Sequence, residues 1–182
     1  GVVGALYEPL FYMNNLKDDP TKLEPLMGKS YTISDDAKTI DVTIRDGEKW
    51  SDGKPYTAED VAYTFNLLNS NKALNTSGFA GSAKVLSDTE VRITLDKPES
   101  VNALSYLSGT MIVPKHVWEK IDDPVTYTNK DAVGSGPFTV KGGNFSPTAY
   151  TFKKNPYYWD EGKPEIDGVR YVLITGGTQA SQ

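Results

Sequence analysis

Few residues in this chain could do chemistry. His116 is its one histidine, and there is no cysteine. A single imidazole cannot make a standard transition-metal site alone. A Ser-His-Asp set would have to be built on His116, yet no serine stands in a Gly-x-Ser-x-Gly context. Following Pro114 at an expected helix start, His116 reads as a surface or half-buried structural residue. Gly134-Ser135-Gly136 lacks the spacing and lysine of a phosphate loop and precedes a strand, so it reads as a bend where backbone passes close to another element. Asp35, Asp36 and Asp41 lack the order and central glycine of a calcium loop and read as solvated turn charges. Glu59 and Asp60 could form a carboxylate pair, but a helix-capping role accounts for them. Asn75-Thr-Ser and Asn144-Phe-Ser match the glycosylation acceptor pattern, which is common by chance. Phe79, flanked by Gly78 and Ala80-Gly81, has no strand to pack in. It either plugs the core beneath its loop or offers a face to a ligand. Tyr12 and Phe11, beside another loop, share a weaker form of that suspicion.

The elements that must position these residues begin with Ile44–Val61. Ile40, Val42 and Ile44 alternate with polar neighbours as the end of a strand. Asp46-Gly47 and Ser51-Asp52-Gly53 make turns on either side of Trp50, which reads as buried. Thr57 is a good N-cap, with Glu59 and Asp60 in the first helical turn. Val61, Phe65 and Leu68 then give the helix an apolar face for a sheet. Earlier, Leu6, Tyr7, Leu10 and Phe11 are at helical spacing, in a short helix that Pro9 constrains or breaks. Ser30–Ser34 with Thr39–Arg45, and Lys84–Leu86 with Glu90–Leu95, read as two hairpins. Val101–Leu107 and Lys115–Ile121 read as helices. Phe138–Lys141 and Ala149–Lys153 read as strands around a turn at Gly142–Pro147, and Gly168–Ile174 as a further strand. The intermixed elements predict a mixed α/β or α+β fold.

Composition narrows the function. The chain has 182 residues, with 19 basic and 24 acidic side chains well interspersed and a net charge of −5. It lacks the basic face that nonspecific nucleic-acid binding needs. No apolar run approaches the ~20 residues of a membrane span. Without cysteine, disulfide and thiolate chemistry are excluded. Aromatics make up 11% of the chain. Most suit strands, and some could stack on a ligand.

Several stretches, in order and spacing, resemble the extracellular solute-binding proteins of the oligopeptide/dipeptide-binding type, which serve ABC importers. They are Ala5–Leu10 (ALYEPL), Ser34–Asp36 with Thr39–Val61, Glu90–Pro98 (EVRITLDKP), Ile112–Glu119 (IVPKHVWE), Gly134–Phe138 (GSGPF), Lys154–Trp159 (KNPYYW) and Ile166–Ile174. Ser135 and Phe138 stand where that family more often has Thr and Tyr. The resemblance implies a lobe of the periplasmic-binding-protein type II fold. It places a small intermediate domain at 1–132 and strands of the first large lobe at 133–182, ending before a C-terminal lobe. It implies capture of a solute, without catalysis or cofactor, between two lobes that close on a hinge. The partners implied are a small solute and an importer permease, with no nucleic acid, for a monomer at the outer membrane face or in the periplasm, with a lipid anchor possible upstream. The loop Ser70–Ser82 matches a segment facing the cleft in similar proteins. That favours Phe79 as a ligand contact and gives Gly81 the role of admitting backbone.

A peptide is the expected solute. The abundance of Tyr and Trp keeps an oligosaccharide open, because flat rings stack on apolar sugar faces. The competing class is a small hydrolase working through a carboxylate pair. Nothing in the sequence places such a pair at a pocket. A third reading is a structural or interaction domain.

Overall fold

The structure, a computed structural model, describes residues 2–16, 19 and 22–172. Short α1 (Val2–Leu6) leads to a two-residue strand pair, β1 (Phe11–Tyr12) and β2 (Glu24–Pro25). β3 (Gly28–Ile33) and β4 (Thr39–Ile44) form the first hairpin; helix α2 (Ala58–Ser70) follows. β5 (Gly81–Ser87) and β6 (Glu90–Leu95) form the second hairpin, and α3 (Ser100–Gly109) and α4 (Lys115–Trp118) come next. The chain closes with β7 (Phe138–Ser146), β8 (Ala149–Lys154) and β9 (Gly168–Val172).

The two hairpins merge into one antiparallel sheet of order β3-β4-β6-β5. Strict alternation on β4 and β6 sends Ile40, Val42, Ile44, Val91, Ile93 and Leu95 to one face. The register sets Ile40 against Ile93 and Val42 against Val91, so cross-strand aliphatic pairs build that face. Helix α2 packs on β5 and β6 with Val61 and Phe65 fully buried. Its start is a capping box. The Thr57 side chain accepts from the Glu59 backbone N–H at 3.3 Å, and Asp60 accepts from the Thr57 N–H at 2.9 Å.

Trp50 is fully buried and stacks on Tyr56 at 4.5 Å between ring centroids. Its indole N–H reaches Asp60 Oδ2 at 3.1 Å. The Lys115 backbone N–H reaches Asp60 Oδ1 at 2.8 Å. One carboxylate therefore joins the helix cap, the buried tryptophan and the start of α4.

A second core forms where α1 packs on β7, gathering Ala5, Leu6, Tyr7, Ala132, Phe138 and Phe152. Its sheet has the order β7-β8-β9. The core clusters therefore divide the chain differently from a single cut at 132. Residues around α1 belong with the sheet that follows residue 133, while Leu10–Ile112 supply the first core.

Local departures from the sequence reading have physical causes. Leu10 and Phe11 do not continue α1. Pro9 disfavours helix in the residue before it and offers no N–H, so Phe11 enters β1 opposite Pro25. Gly142–Pro147 is not a simple turn, because β7 runs on to Ser146 through a bulge whose register shifts between Thr139 and Asn144. Gly142, at φ +75°, permits that path. Helix α4 stops at Trp118, with single turn bonds continuing to Ile121. β5 begins at Gly81, three residues before the expected start. β9 is described to Val172, and residues 173–182 of the expected final strand and segment lie outside the described residues.

Candidate functional site

The two cores meet along a seam of close backbone contacts. Gly134 and Gly136 run against α1 so tightly that a Cβ on Gly134 would lie 1.8 Å from the Leu6 carbonyl oxygen. The Gly136 N–H donates to that same oxygen at 2.9 Å. This is the close backbone passage expected of Gly134-Ser135-Gly136. Ser51, from the turn after Trp50, closes a reciprocal pair with Gly134. Its N–H donates to the Gly134 carbonyl at 3.0 Å, and its Oγ accepts from the Gly134 N–H at 3.1 Å. Buried Asn155 donates from Nδ2 to the Gly136 carbonyl at 2.9 Å.

Beside this seam lies a cleft of about 790 Å³. Ser51 and Asp52 line it from the first core. Val133, which packs against the first core, adds to that side, and Thr139, Val140 and Phe145 line it from the second. The bulge of β7 places Lys141, Gly142 and Gly143 on its wall, and Lys130 and Asp131 add charge. Asp52 also faces His116, with Oδ2 and Nε2 2.8 Å apart. Apolar side chains with a few charged groups in a ligand-sized space are the usual make-up of a small-molecule site.

Above the seam, the partly buried Glu8 carboxylate accepts from the Tyr158 hydroxyl at 2.6 Å and from the Trp159 indole N–H at 2.8 Å. Burial pushes the Glu8 pKa up, against the pull of those two hydrogen bonds. Burial does the same at Asp60, outweighing its backbone and Trp50 donors. Tyr56, whose hydroxyl is buried, has its pKa raised first by burial and then by the Asp60 and Glu8 carboxylates. Among the described residues, no group of three His, Cys, Asp or Glu side chains could hold a metal ion. Likewise, no helix there is long and apolar enough to cross a membrane.

The four residues singled out from the sequence scatter. Phe79 is 2% exposed and meets Phe65 and Tyr106 edge-on at 5.0 and 5.4 Å, so it plugs the core and offers no face to solvent. Asn75 holds it there: Oδ1 accepts from the Phe79 N–H at 2.9 Å and Nδ2 donates to the Phe79 carbonyl at 2.7 Å. Phe11 is 1% exposed, edge-on to Tyr31, and is likewise a core residue. Gly81 is a close approach within the protein: a Cβ there would sit 2.1 Å from the Thr94 carbonyl oxygen. Its role is to let β5 pair with β6. Tyr12 is 53% exposed and is the one ring of the set that solvent reaches.

None of these four lines the cleft. The residues that do were hidden because they come together from distant positions, Ser51 and Asp52 with 130–145, brought side by side where Ser51 bonds to Gly134. The double turn at Ser51-Asp52-Gly53 and the aromatic run Tyr157–Trp159 were the available signals. The turn reading holds for Asp36, but Asp41 lies on strand β4, carried into the sheet by the alternation of Thr39–Ile44, with Arg92 opposite it on β6. Asp36 accepts from Ser34 and from the Lys38 N–H in a turn, and Asp41 pairs with Arg92 at 2.7 Å. Glu59 pairs with Lys115 at 2.8 Å.

Comparison with known proteins defines the class. The chain belongs to the bacterial extracellular solute-binding proteins, family 5 Middle, which it matches over residues 22–182. It is 27% identical over 201 residues to the dipeptide-binding protein DppE of Bacillus subtilis, covering 96% of this chain and 36% of DppE. It is 34% identical over 181 residues to the peptidoglycan-binding protein YepA of Agrobacterium fabrum, covering 93% of this chain and 28% of YepA. In structure it resembles a mannohexaose-bound periplasmic oligopeptide-binding protein from Thermotoga maritima, with a TM-score of 0.84 and 27% identity. That match covers 98% of this chain and 34% of the other. The mixed α/β architecture is that of the type II periplasmic binding proteins. The chain thus spans about a third of the length of these relatives.

Proposed function

We propose that this chain is part of a two-lobed clamp that captures a solute for an ABC importer and does no chemistry on it. The observation that carries the reading is the family match over residues 22–182. The first core then corresponds to the small intermediate domain, and α1 with β7–β9 to part of the first large lobe. A hinge to a further lobe would close over the solute and exclude water. The protein would act as a monomer at the extracellular face of the membrane or in the periplasm and hand its cargo to a permease.

A peptide is the favoured solute, as the name of DppE suggests. The cleft suits one, with apolar Val133, Val140 and Phe145 beside charges of both signs. Tyr12 remains a proposed contact because its ring is exposed. An oligosaccharide is the second reading. Phe145 and Tyr150 lie side by side at 6.2 Å, both solvent-exposed, and could stack on sugar faces. Mannohexaose in the Thermotoga protein gives that reading a precedent.

Titration calorimetry on the full-length chain, with peptide and manno-oligosaccharide libraries, tests both. Saturable binding without turnover is the expected result. Sugar binding lost in Phe145→Ala would favour the second reading. Hydrolysis abolished by one Asp or Glu substitution would overturn the clamp.

A further inference from the structure

We infer that Glu8 is a positioning residue: it fastens the 155–167 loop across the seam and thereby sets the angle between the two cores. The loop leaves the second core after β8, and two of its aromatic side chains, Tyr157 and Trp159, reach the first. Trp159 packs against the first core, and the Arg45 guanidinium at the end of β4 sits 4.1 Å over its ring. Arg45 is itself held in place, since its Nε donates to the Leu26 carbonyl at 2.6 Å. Tyr157 lies against the turn at Gly53, where an added Cβ would be 3.2 Å from its ring. Among the described residues Glu8 is the one group that accepts from both Tyr158 and Trp159, and it lies two residues past α1, beside the second core. The Glu8 backbone is pinned as well, its N–H donating to Ser135 Oγ at 3.3 Å.

Geometry makes this more than local packing. The backbone contact between the cores is the reciprocal Ser51–Gly134 pair, which can act as a pivot. The Trp159–Arg45 and Tyr157–Gly53 contacts join the cores at further points, and attachment at several points resists rotation about one. A two-pronged carboxylate clamp fixes the Trp159 ring plane, and the ring plane fixes Arg45. Ser51 and Asp52 on one side of the cleft and Val140 and Phe145 on the other then keep one spacing. The inference concerns the angle between the cores and holds whichever solute the cleft takes.

Spin-label distance measurement across the seam tests it, in the full-length chain. These 182 residues contain no cysteine, which makes paired labels at Lys84→Cys and Thr148→Cys straightforward here. Both positions are exposed, one on each sheet region. One narrow distance peak is expected with Glu8 intact. Glu8→Ala should broaden it or add a second peak. Glu8→Gln should keep it narrow, because the amide oxygen still accepts from Trp159 and the amide nitrogen can donate to Tyr158. If Glu8→Ala does not fold, Trp159→Ala releases the same loop from the half-buried end and should broaden the peak in its place. A folded Glu8→Ala or Trp159→Ala protein with an unchanged narrow peak would overturn the proposal, even if its melting temperature fell.

Discussion

Removing the Asp60 carboxylate should be among the most damaging single changes to this protein. Asp60 is 4% exposed and accepts three N–H donors, from the Trp50 indole and the Thr57 and Lys115 backbones, at 2.8 to 3.1 Å. Hydrogen bonds to a charged group contribute about 1.5–3 kcal/mol each, so the gross loss from Asp60→Ala is several kcal/mol. Against that stands the cost of keeping the carboxylate buried, which its raised pKa records. Removing the acceptor leaves neutral N–H donors unpaired, at about 1–3 kcal/mol for each one that stays buried, which puts the net loss at several kcal/mol. That is a large share of the ~5–15 kcal/mol that holds a domain together. Asp60→Asn keeps one carbonyl acceptor and should cost less, about 1–3 kcal/mol. Urea unfolding followed by tryptophan fluorescence reads both, as a drop in midpoint at constant slope. A loss below about 1 kcal/mol for Asp60→Ala would mean that the three donors find other partners and that Asp60 is no hub.

Phe79→Ala should destabilise by about 3–5 kcal/mol, as for other buried phenylalanines, and calorimetric melting would show it. A stable variant with weakened solute binding would instead return Phe79 to the ligand site. Gly134→Ala forces a Cβ onto the Leu6 carbonyl and should cost about 1–3 kcal/mol or more, measured by the same unfolding assay. A wild-type midpoint would show that the seam can open freely. Stability should also depend on pH through Glu8, whose pKa burial raises above its ordinary 4.5. The folded state then holds a proton at pH values where the unfolded chain has released it. This contribution is fully present below 4.5 and lost as pH rises through the raised value. The charged and titratable groups around Glu8 are Tyr158, Asp160, Tyr56 and Arg45. The stability of wild type relative to Glu8→Gln should therefore grow as pH falls from neutral toward 4.5, and a flat or shrinking difference would refute this.

Local elements were legible where a short pattern had one physical solution. Alternation along Ile40–Ile44 and Val91–Leu95 could bury only one face, and both segments are strands with that face buried. Thr57 with Asp60 could cap only one helix start. The glycines at 134 and 136 announced a close approach, though not what approached. Phe79 misled because a Gly-flanked aromatic has no periodicity to place it. The Asn75 side chain that turns it inward acts through the loop's own backbone, four residues away. Phe11 misled because its helical spacing from Leu6 and Tyr7 competed with Pro9, and the proline prevailed.

The sequence by itself determined most of the strands and helices, the inventory of one histidine and no cysteine, and which family the motifs resemble. Those properties depend on neighbours within a few residues or on the residue inventory alone. Tertiary structure alone decided that α1 joins the β7–β9 core, that Ser51 meets Gly134, and that Glu8 reaches Tyr158 and Trp159. Those contacts join residues 80 to 150 positions apart, and no local periodicity encodes such distances. The cleft belongs to this second group, because it exists only where two separately formed cores come together.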